Sequence, residues 1–112
     1  MRICLWMRHL SLFFAALADE NRLRLLYLMK EGEICVCYLQ GVLQTNQPKI
    51  SRHLAYLKRA GLVEARRDGK WTHYRLKKHN GEWGKILSQT LIRLEREPQI
   101  TKDFERLKRV NC

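Results

Sequence analysis

The sequence lacks the features that mark membrane, exported and modular proteins. Its longest apolar run, from Leu10 to Leu17, is interrupted by Ser11 and is far too short to span a bilayer. Residues 1–8 contain neither a long apolar core nor a small-residue cleavage site, which argues against a signal peptide. Internal repeats, low-complexity tracts and Ser/Gly linkers are also absent. We therefore expect one cytoplasmic domain spanning residues 1–112, without a membrane partner.

Motifs of the common enzyme classes are missing as well. The sequence has no Ser/His/Asp order, no phosphate loop and no paired carboxylates in an apolar setting, so we do not expect an enzyme or a required cofactor. Cysteine is limited to four residues. In a reducing cytoplasm these are expected to be free thiols or ligands and not disulfides.

Acidic residues are scarce, and their scarcity is uneven. The chain has 11 Asp and Glu against 22 Lys and Arg, a net charge of +11. Residues 45–78 carry a net charge of +8, whereas residues 1–44 carry +1 and residues 79–112 carry +2. A concentration of positive charge in one third of the chain is typical of a surface that binds a polyanion. The charge pattern therefore predicts nucleic-acid binding.

Apolar spacing and capping residues predict helices along the first part of the chain. Residues 10–18 form an apolar helix, and Asp19 is the expected N-cap of a second helix that ends near Gly32. On this second helix, Arg22 and Arg24 are expected to point outward. Residues 34–43 are predicted to be a third, short helix.

A fourth helix begins after a cap at Thr45 or Asn46, with Pro48 in its first turn. Its apolar residues Ile50, Leu54 and Leu57 recur at helical spacing and predict a buried stripe. Two short helices joined by a tight turn, the second one cationic, indicate a helix-turn-helix over residues 35–60.

A basic β-hairpin is predicted directly after the fourth helix. Asp68-Gly69 between two β-capable segments is a strong hairpin signal, which gives a two-stranded wing over residues 62–77. Further helices follow in residues 81–112. The fold class is thus mainly α, with five to six helices and a two-stranded wing: a winged helix-turn-helix. We expect residues 1–18 and 81–112 to form a homodimer, because two recognition helices must reach successive major grooves.

The predicted DNA contacts come from the fourth helix and the wing. Amide and guanidinium groups can bond adenine and guanine edges bidentately, and hydroxyl groups can reach a base or a phosphate. On the helix these residues are Gln47, Lys49, Ser51, Arg52 and His53. On the wing, Arg66, Arg67, Lys70 and Arg75 are expected to hold phosphates or the minor groove of the DNA.

Four segments carry a resemblance to a known family. They are Leu17-Ala18-Asp19-Glu20-Asn21-Arg22-Leu23-Arg24-Leu25-Leu26, Glu33-Ile34-Cys35-Val36-Cys37-Tyr38-Leu39, Gln47-Pro48-Lys49-Ile50-Ser51-Arg52-His53-Leu54 and Gly69-Lys70-Trp71-Thr72-His73-Tyr74-Arg75-Leu76. In this order and spacing they resemble the ArsR/SmtB family of metal-responsive winged-helix repressors, and most of all its arsenic-sensing branch. The resemblance implies a homodimeric repressor that releases its operator when arsenite or antimonite binds.

Cys35 and Cys37 are the candidate inducer ligands, since thiolates favour soft ions. Residues two apart in sequence are separated by about 200° around a regular α-helix, so the sulfur atoms of Cys35 and Cys37 would project from nearly opposite sides. Both can bind one ion only if the helix is locally unwound or begins after them. Inducer binding would then reshape the segment that leads into the recognition helix.

The third ligand is left open by the sequence. Where the arsenic-sensing pattern has a third cysteine, three residues after Cys37, this chain has Gln40. Cys4 could complete the site, as in the family's cadmium and lead sensors, or Cys112 could do so from the end of the last helix. A site of two thiols would instead favour a trivalent organoarsenical. Two further alternatives are a repressor that senses thiol oxidation and a nucleic-acid packaging protein without a ligand.

Overall fold

The chain folds into six helices and a three-stranded antiparallel sheet within residues 2–79 and 81–112, which the computed structural model describes, with side chains from residue 7 onward. In chain order the elements are α1 (Arg2–Leu17), α2 (Glu20–Leu28), β1 (Ile34–Cys35), α3 (Val36–Leu43), α4 (Gln47–Arg59), β2 (Val63–Asp68), β3 (Trp71–Leu76), α5 (Glu82–Leu94) and α6 (Pro98–Leu107). The predicted winged helix-turn-helix is confirmed.

Capping residues set the helix boundaries largely where the sequence placed them. The Asp19 carboxylate accepts a hydrogen bond from the Arg22 amide, and the Asn46 side chain accepts one from the Lys49 amide. Pro48 lies in the first turn of α4, where its missing N–H has no partner to lose. Gly61 has a φ of 77°, a left-handed conformation that ends α4 and turns the chain into β2.

The core packs the helix-turn-helix against α2. Ile50, Leu54 and Leu57 are 0–1% exposed, which confirms the predicted stripe on α4. They belong to one buried cluster with Leu25 and Leu26 of α2, among other side chains. Burial of side chains of this kind stabilises the fold by about 1.5–3 kcal/mol each. The recognition helix is therefore held by its apolar face, and its opposite face stays free.

The sheet contains one strand more than predicted. Its order is β1-β3-β2, and β1 pairs Ile34 with Tyr74 and Cys35 with His73. The prediction of a helix from residue 34 was wrong for these two residues, and the expected two-stranded wing gains a third strand. The physical reason is that the outer edge of β3 offers unpaired backbone groups, which the extended Ile34-Cys35 segment satisfies before α3 begins.

Two arginines of α2 turn inward, contrary to the prediction that they point outward. Arg22 donates to the carbonyl oxygens of Ala15 and Ala16 at the end of α1, at 3.0 and 2.9 Å. Arg24 donates to both carboxylate oxygens of buried Asp103, at 2.9 and 2.8 Å. The carbonyl groups at the end of α1 and the buried Asp103 carboxylate each need a hydrogen-bond donor. Hydrogen bonds to these groups stabilise the fold more than hydration of the two guanidinium groups would.

The last helix, α6, packs against α2 and α3 of its own chain, with Ile100 only 4% exposed. Large apolar side chains on α1 and α5 are instead exposed: Met7, Leu10 and Phe14 on α1, and Ile92 on α5. None of the helices described is long and apolar enough to cross a membrane.

Candidate nucleic-acid interface and thiol site

The first two turns of α4 carry most of the predicted base-reading residues. Gln47, Lys49, Ser51 and Arg52 are exposed there, at the N-terminal end of the helix and around the buried stripe. The Gln47 amide donates to the Ser51 hydroxyl at 3.2 Å, one helical turn away. The first turns of α4 therefore present neutral donors and acceptors together with positive charge, which is the combination that base edges and phosphates require in a major groove.

His53 is placed differently from the other residues of this set. Its side chain is 19% exposed, and its Nδ1 lies 3.5 Å from the Arg22 guanidinium and 4.0 Å from the Asp19 carboxylate. The Arg22 guanidinium also lies 4.2 Å from the centre of the Tyr56 ring. His53 thus faces the start of α2, where it helps to join α2 to the recognition helix.

A basic groove beside α4 contains residues that the sequence did not single out. It has a volume of about 760 Å³ and includes Arg59 and Asn21 together with the predicted Lys49 and Arg52. Arg59 lies in the last turn of α4, 5.3 Å from the Tyr56 ring. The sequence feature that could have indicated Arg59 as a DNA contact is its position in the last turn of a cationic helix. A groove with this charge suits a phosphate backbone that passes along the helix.

The four wing arginines and lysines divide into two pairs. Arg66 donates to the Glu33 carboxylate at 2.7 Å, and Arg75 donates to Glu64 at 2.8 Å. Arg67 and Lys70 flank the turn: Arg67 donates to the Gly69 carbonyl, and the Lys70 ammonium lies 5.2 Å from the Trp71 ring. The wing tip therefore presents cations without a carboxylate partner among the residues described, whereas the base of the wing is partly neutralised.

The Glu33–Arg66 pair connects the wing to the segment that leads into β1. The hydrogen bond from Arg66 lowers the pKa of the Glu33 carboxyl below its usual range, and the nearby positive charges act in the same direction. Glu33 is therefore ionised at neutral pH. The wing is joined to the cysteine-containing segment both by this ion pair and by the β1–β3 backbone hydrogen bonds.

Cys35 and Cys37 lie on either side of a boundary between two kinds of secondary structure. Cys35 ends β1 and occupies the N-cap position of α3 with an extended backbone, and Cys37 lies in the first turn of α3. The two side chains are therefore not related by the angle of about 200° that they would have within one helix, because α3 begins between the two cysteines. Both side chains are partly exposed.

Cys37 is bonded to Cys112 in a disulfide that links α3 to the end of the chain, with a Cα–Cα distance of 6.1 Å. The expectation that the cysteines are free thiols is therefore wrong for this pair, because the fold brings the chain terminus against α3. Cys35 is free, and the side chain of Cys4 lies outside the described residues. Within the part of the chain that the structure describes, no three His, Cys, Asp or Glu side chains are grouped around one point.

The cationic recognition helix, its basic wing and the strand β1 that joins the wing to α3 define a winged helix-turn-helix transcriptional regulator. This is a DNA-binding class without enzymatic chemistry. Residues 19–65 match the family model described as "Bacterial regulatory protein, arsR family". The chain is 45% identical over 100 residues to the arsenical resistance operon repressor of Escherichia coli strain K12, a match that covers 88% of this chain and 85% of that protein. The chain belongs to the ArsR family of transcriptional repressors.

Two further relatives show the range of this similarity. The cadmium resistance regulatory protein CadC of Listeria innocua is 39% identical over 66 residues, which is 58% of this chain and 56% of that protein. The solved winged helix-turn-helix domain Mb0332 of Mycobacterium bovis, described as homodimeric, superposes with a TM-score of 0.67 at 29% identity, covering 84% of this chain and 82% of that one. The predicted family and fold are thus confirmed.

Proposed function

We propose that this protein is a homodimeric repressor that releases its operator when trivalent arsenic or antimony binds to Cys35 and Cys37. The observation that carries the proposal is the position of these two thiols on either side of the junction between β1 and α3. One thiol belongs to the strand that pairs with the wing, and the other belongs to the first helix of the helix-turn-helix. An ion held by both would change two DNA-binding elements together.

The chemistry of the site suits trivalent arsenicals. Thiolates are soft ligands, and each As–S bond can replace an As–OH bond with release of one water. Two sulfurs drawn onto one arsenic atom would have to approach each other, which requires the first turn of α3 to rotate or unwind. Inducer binding has to favour the changed conformation by only a modest free energy, since a hundredfold loss of operator affinity corresponds to about 2.7 kcal/mol.

On the DNA side, we assign base reading to the exposed N-terminal part of α4 and backbone contacts to the wing. Gln47, Ser51 and Arg52 are exposed in the first two turns of α4, which supports this assignment. Lys49 and His53 both line the basic groove beside α4 and are assigned to phosphates. The four wing residues Arg66, Arg67, Lys70 and Arg75 are assigned to phosphates or the minor groove.

The experiment measures operator binding by fluorescence anisotropy while arsenite is added under phosphine reductant. We expect arsenite to release the wild-type protein, whereas Cys35→Ser and Cys37→Ser bind the same operator and stay bound at arsenite concentrations at least about a hundredfold higher. Ser88→Ala, on the exposed surface of α5, is the matched control and should respond like the wild type. Normal release by the double Cys35→Ser/Cys37→Ser variant would refute the inducer site.

Two alternatives have distinct signatures in the same assay. A cadmium or lead sensor would respond to those ions at lower concentration than to arsenite, and would lose the response in Cys4→Ser. A redox sensor is favoured by the Cys37–Cys112 bond. It would release DNA on treatment with hydrogen peroxide and ignore arsenite once reduced.

A further inference from the structure

The C-terminal segment, residues 106–112, runs antiparallel along α3 and contacts it at successive positions. The Arg106 guanidinium donates to the Val42 carbonyl at 2.9 Å. Val110 then packs on Gly41, and Cys112 reaches Cys37 in the first turn of the helix. The end of the chain is therefore placed on the helix that carries one of the proposed inducer ligands.

Gly41 makes this approach possible. A Cβ atom at position 41 would lie 2.7 Å from Cγ1 and 3.0 Å from Cγ2 of Val110, closer than such atoms pack. A glycine within a helix costs about 1 kcal/mol relative to alanine, and here the missing side chain creates the space into which Val110 fits. Gly41 and Cys37 are one helical turn apart, so the same face of α3 receives both Val110 and Cys112.

We propose that Cys112 is the third thiol of the inducer site and supplies the ligand that Gln40 cannot. The inference rests on the proposed function, because it adds a ligand to the site of Cys35 and Cys37. Its basis is that the C-terminal segment already brings the Cys112 sulfur to Cys37. Cys112 is also exposed, so a reductant or an arsenical can reach it.

The site forms in two balanced steps. Reduction delivers two electrons and two protons to the Cys37–Cys112 bond and yields two thiols; with a water-soluble phosphine, the phosphine becomes its oxide by taking the oxygen of one water molecule. Arsenous acid, As(OH)₃, then exchanges its three hydroxyl groups for the three thiolates, and the three thiol protons leave with those hydroxyls as three waters. Arsenic is neither oxidised nor reduced in this exchange.

Closure of a three-thiol site would connect three parts of the molecule at one atom. Cys35 belongs to β1, which pairs with the wing, Cys37 belongs to α3, and Cys112 follows α6. These side chains are not grouped around one point within the described part of the chain. Arsenite must therefore draw Cys35 and the first turn of α3 together, and this movement displaces the elements that bind DNA.

Arsenite and phenylarsenoxide distinguish a third thiol from the first two. Arsenite can form three As–S bonds, whereas phenylarsenoxide carries one phenyl substituent and can form only two. In Cys112→Ser, we expect the arsenite concentration for half-release of operator to rise by about a hundredfold, because a tethered third ligand acts at a high effective concentration. Release by phenylarsenoxide should stay within about twofold of the wild type. X-ray absorption should count three sulfur neighbours of arsenic in the wild type and two in the variant.

Cys4→Ser is the matched control, and its response to both arsenicals should equal that of the wild type. The inference is overturned if Cys112→Ser responds normally to arsenite, if Cys4→Ser shows the selective loss instead, or if Cys112→Ser also loses its response to phenylarsenoxide. A wild-type protein that releases DNA with neither arsenical would refute the proposed function itself, a result that differs from a failure confined to Cys112→Ser.

A second pair of variants tests the contact with α3 while keeping every cysteine. Gly41→Ala should displace Val110 and raise the arsenite midpoint in the same direction as Cys112→Ser. Gly41→Ala/Val110→Ala restores the space and should recover the response. If Gly41→Ala folds normally, as measured by circular dichroism, and responds like the wild type, then the packing of the C-terminal segment does not deliver Cys112.

Discussion

Asp103 is a carboxylate on α6 that is only 1% exposed, and its partners determine how firmly α6 is held against α2. The Arg24 guanidinium donates a hydrogen bond to each of its two oxygens, and Gln99 donates to one of them at 3.0 Å. The hydrogen bond to Asp103 also raises the pKa of Arg24. Removing one partner of a buried ion pair leaves the other without compensation, at a cost of about 3–5 kcal/mol.

We predict that Arg24→Ala destabilises the protein more than Asp103→Ala does. The reason is that Asp103 left alone stays buried, whereas the Arg24 side chain is 18% exposed and can turn toward water. Arg24→Ala should lower the free energy of unfolding by about 3 kcal/mol, and the double variant by no more than Arg24→Ala alone. Urea denaturation of the four proteins measures both differences. Equal losses in the two single variants would contradict the predicted asymmetry.

At the level of elements, the ion pair between Glu33 and Arg66 connects the segment before β1 to β2 of the wing. Because Glu33 is ionised at neutral pH, it neutralises a cation that the sequence assigns to DNA. Glu33→Gln should therefore release Arg66 and increase operator affinity severalfold. The slope of log affinity against log salt should steepen by about one phosphate contact.

Glu31→Gln is the matched control for that prediction, because it removes the same charge from a neighbouring exposed position. It should change the affinity slightly and leave the salt slope as in the wild type. Fluorescence anisotropy at several salt concentrations measures both quantities. If the two variants behave alike, then the effect comes from net charge alone and Arg66 does not contact the phosphate backbone.

The elements that the sequence predicted well are those defined by local signals. Asn46 and Pro48 fix the start of α4, and the stripe beginning at Ile50 fixes the face that it buries. The strand at Ile34-Cys35 could not be found in this way, because its structure depends on β3, which lies some forty residues further along the chain. The Cys37–Cys112 bond depends likewise on the packing of α6, which carries no local signature.

The candidate site shows the same division. Cys35 and Cys37 were visible as a pair in the sequence, and Cys112 was one of several candidates for a third ligand. What selects Cys112 for our proposal is its position against Cys37, which the fit of Val110 on Gly41 supports; both contacts join residues far apart in the sequence. The sequence therefore indicates the chemistry of the ligands but not how Cys112 comes to lie beside Cys37.

For the molecule as a whole, most of the large apolar side chains that remain exposed lie on α1 and α5, and we predict that these two helices form the dimer interface. On α1, Met7 is 65% exposed, Leu10 44% and Phe14 48%, at helical spacing on one face, and Ile92 of α5 is 53% exposed. Exposed apolar side chains grouped in this way are costly in water and typical of an interface.

Phe14→Glu should therefore convert the dimer to a monomer, as measured by light scattering after size exclusion. It should also weaken operator binding at least about tenfold, because two linked recognition helices bind far more tightly than one. Thr101→Glu, which adds the same charge to the exposed face of α6, should leave the dimer intact. A Phe14→Glu protein that remains dimeric would place the interface elsewhere.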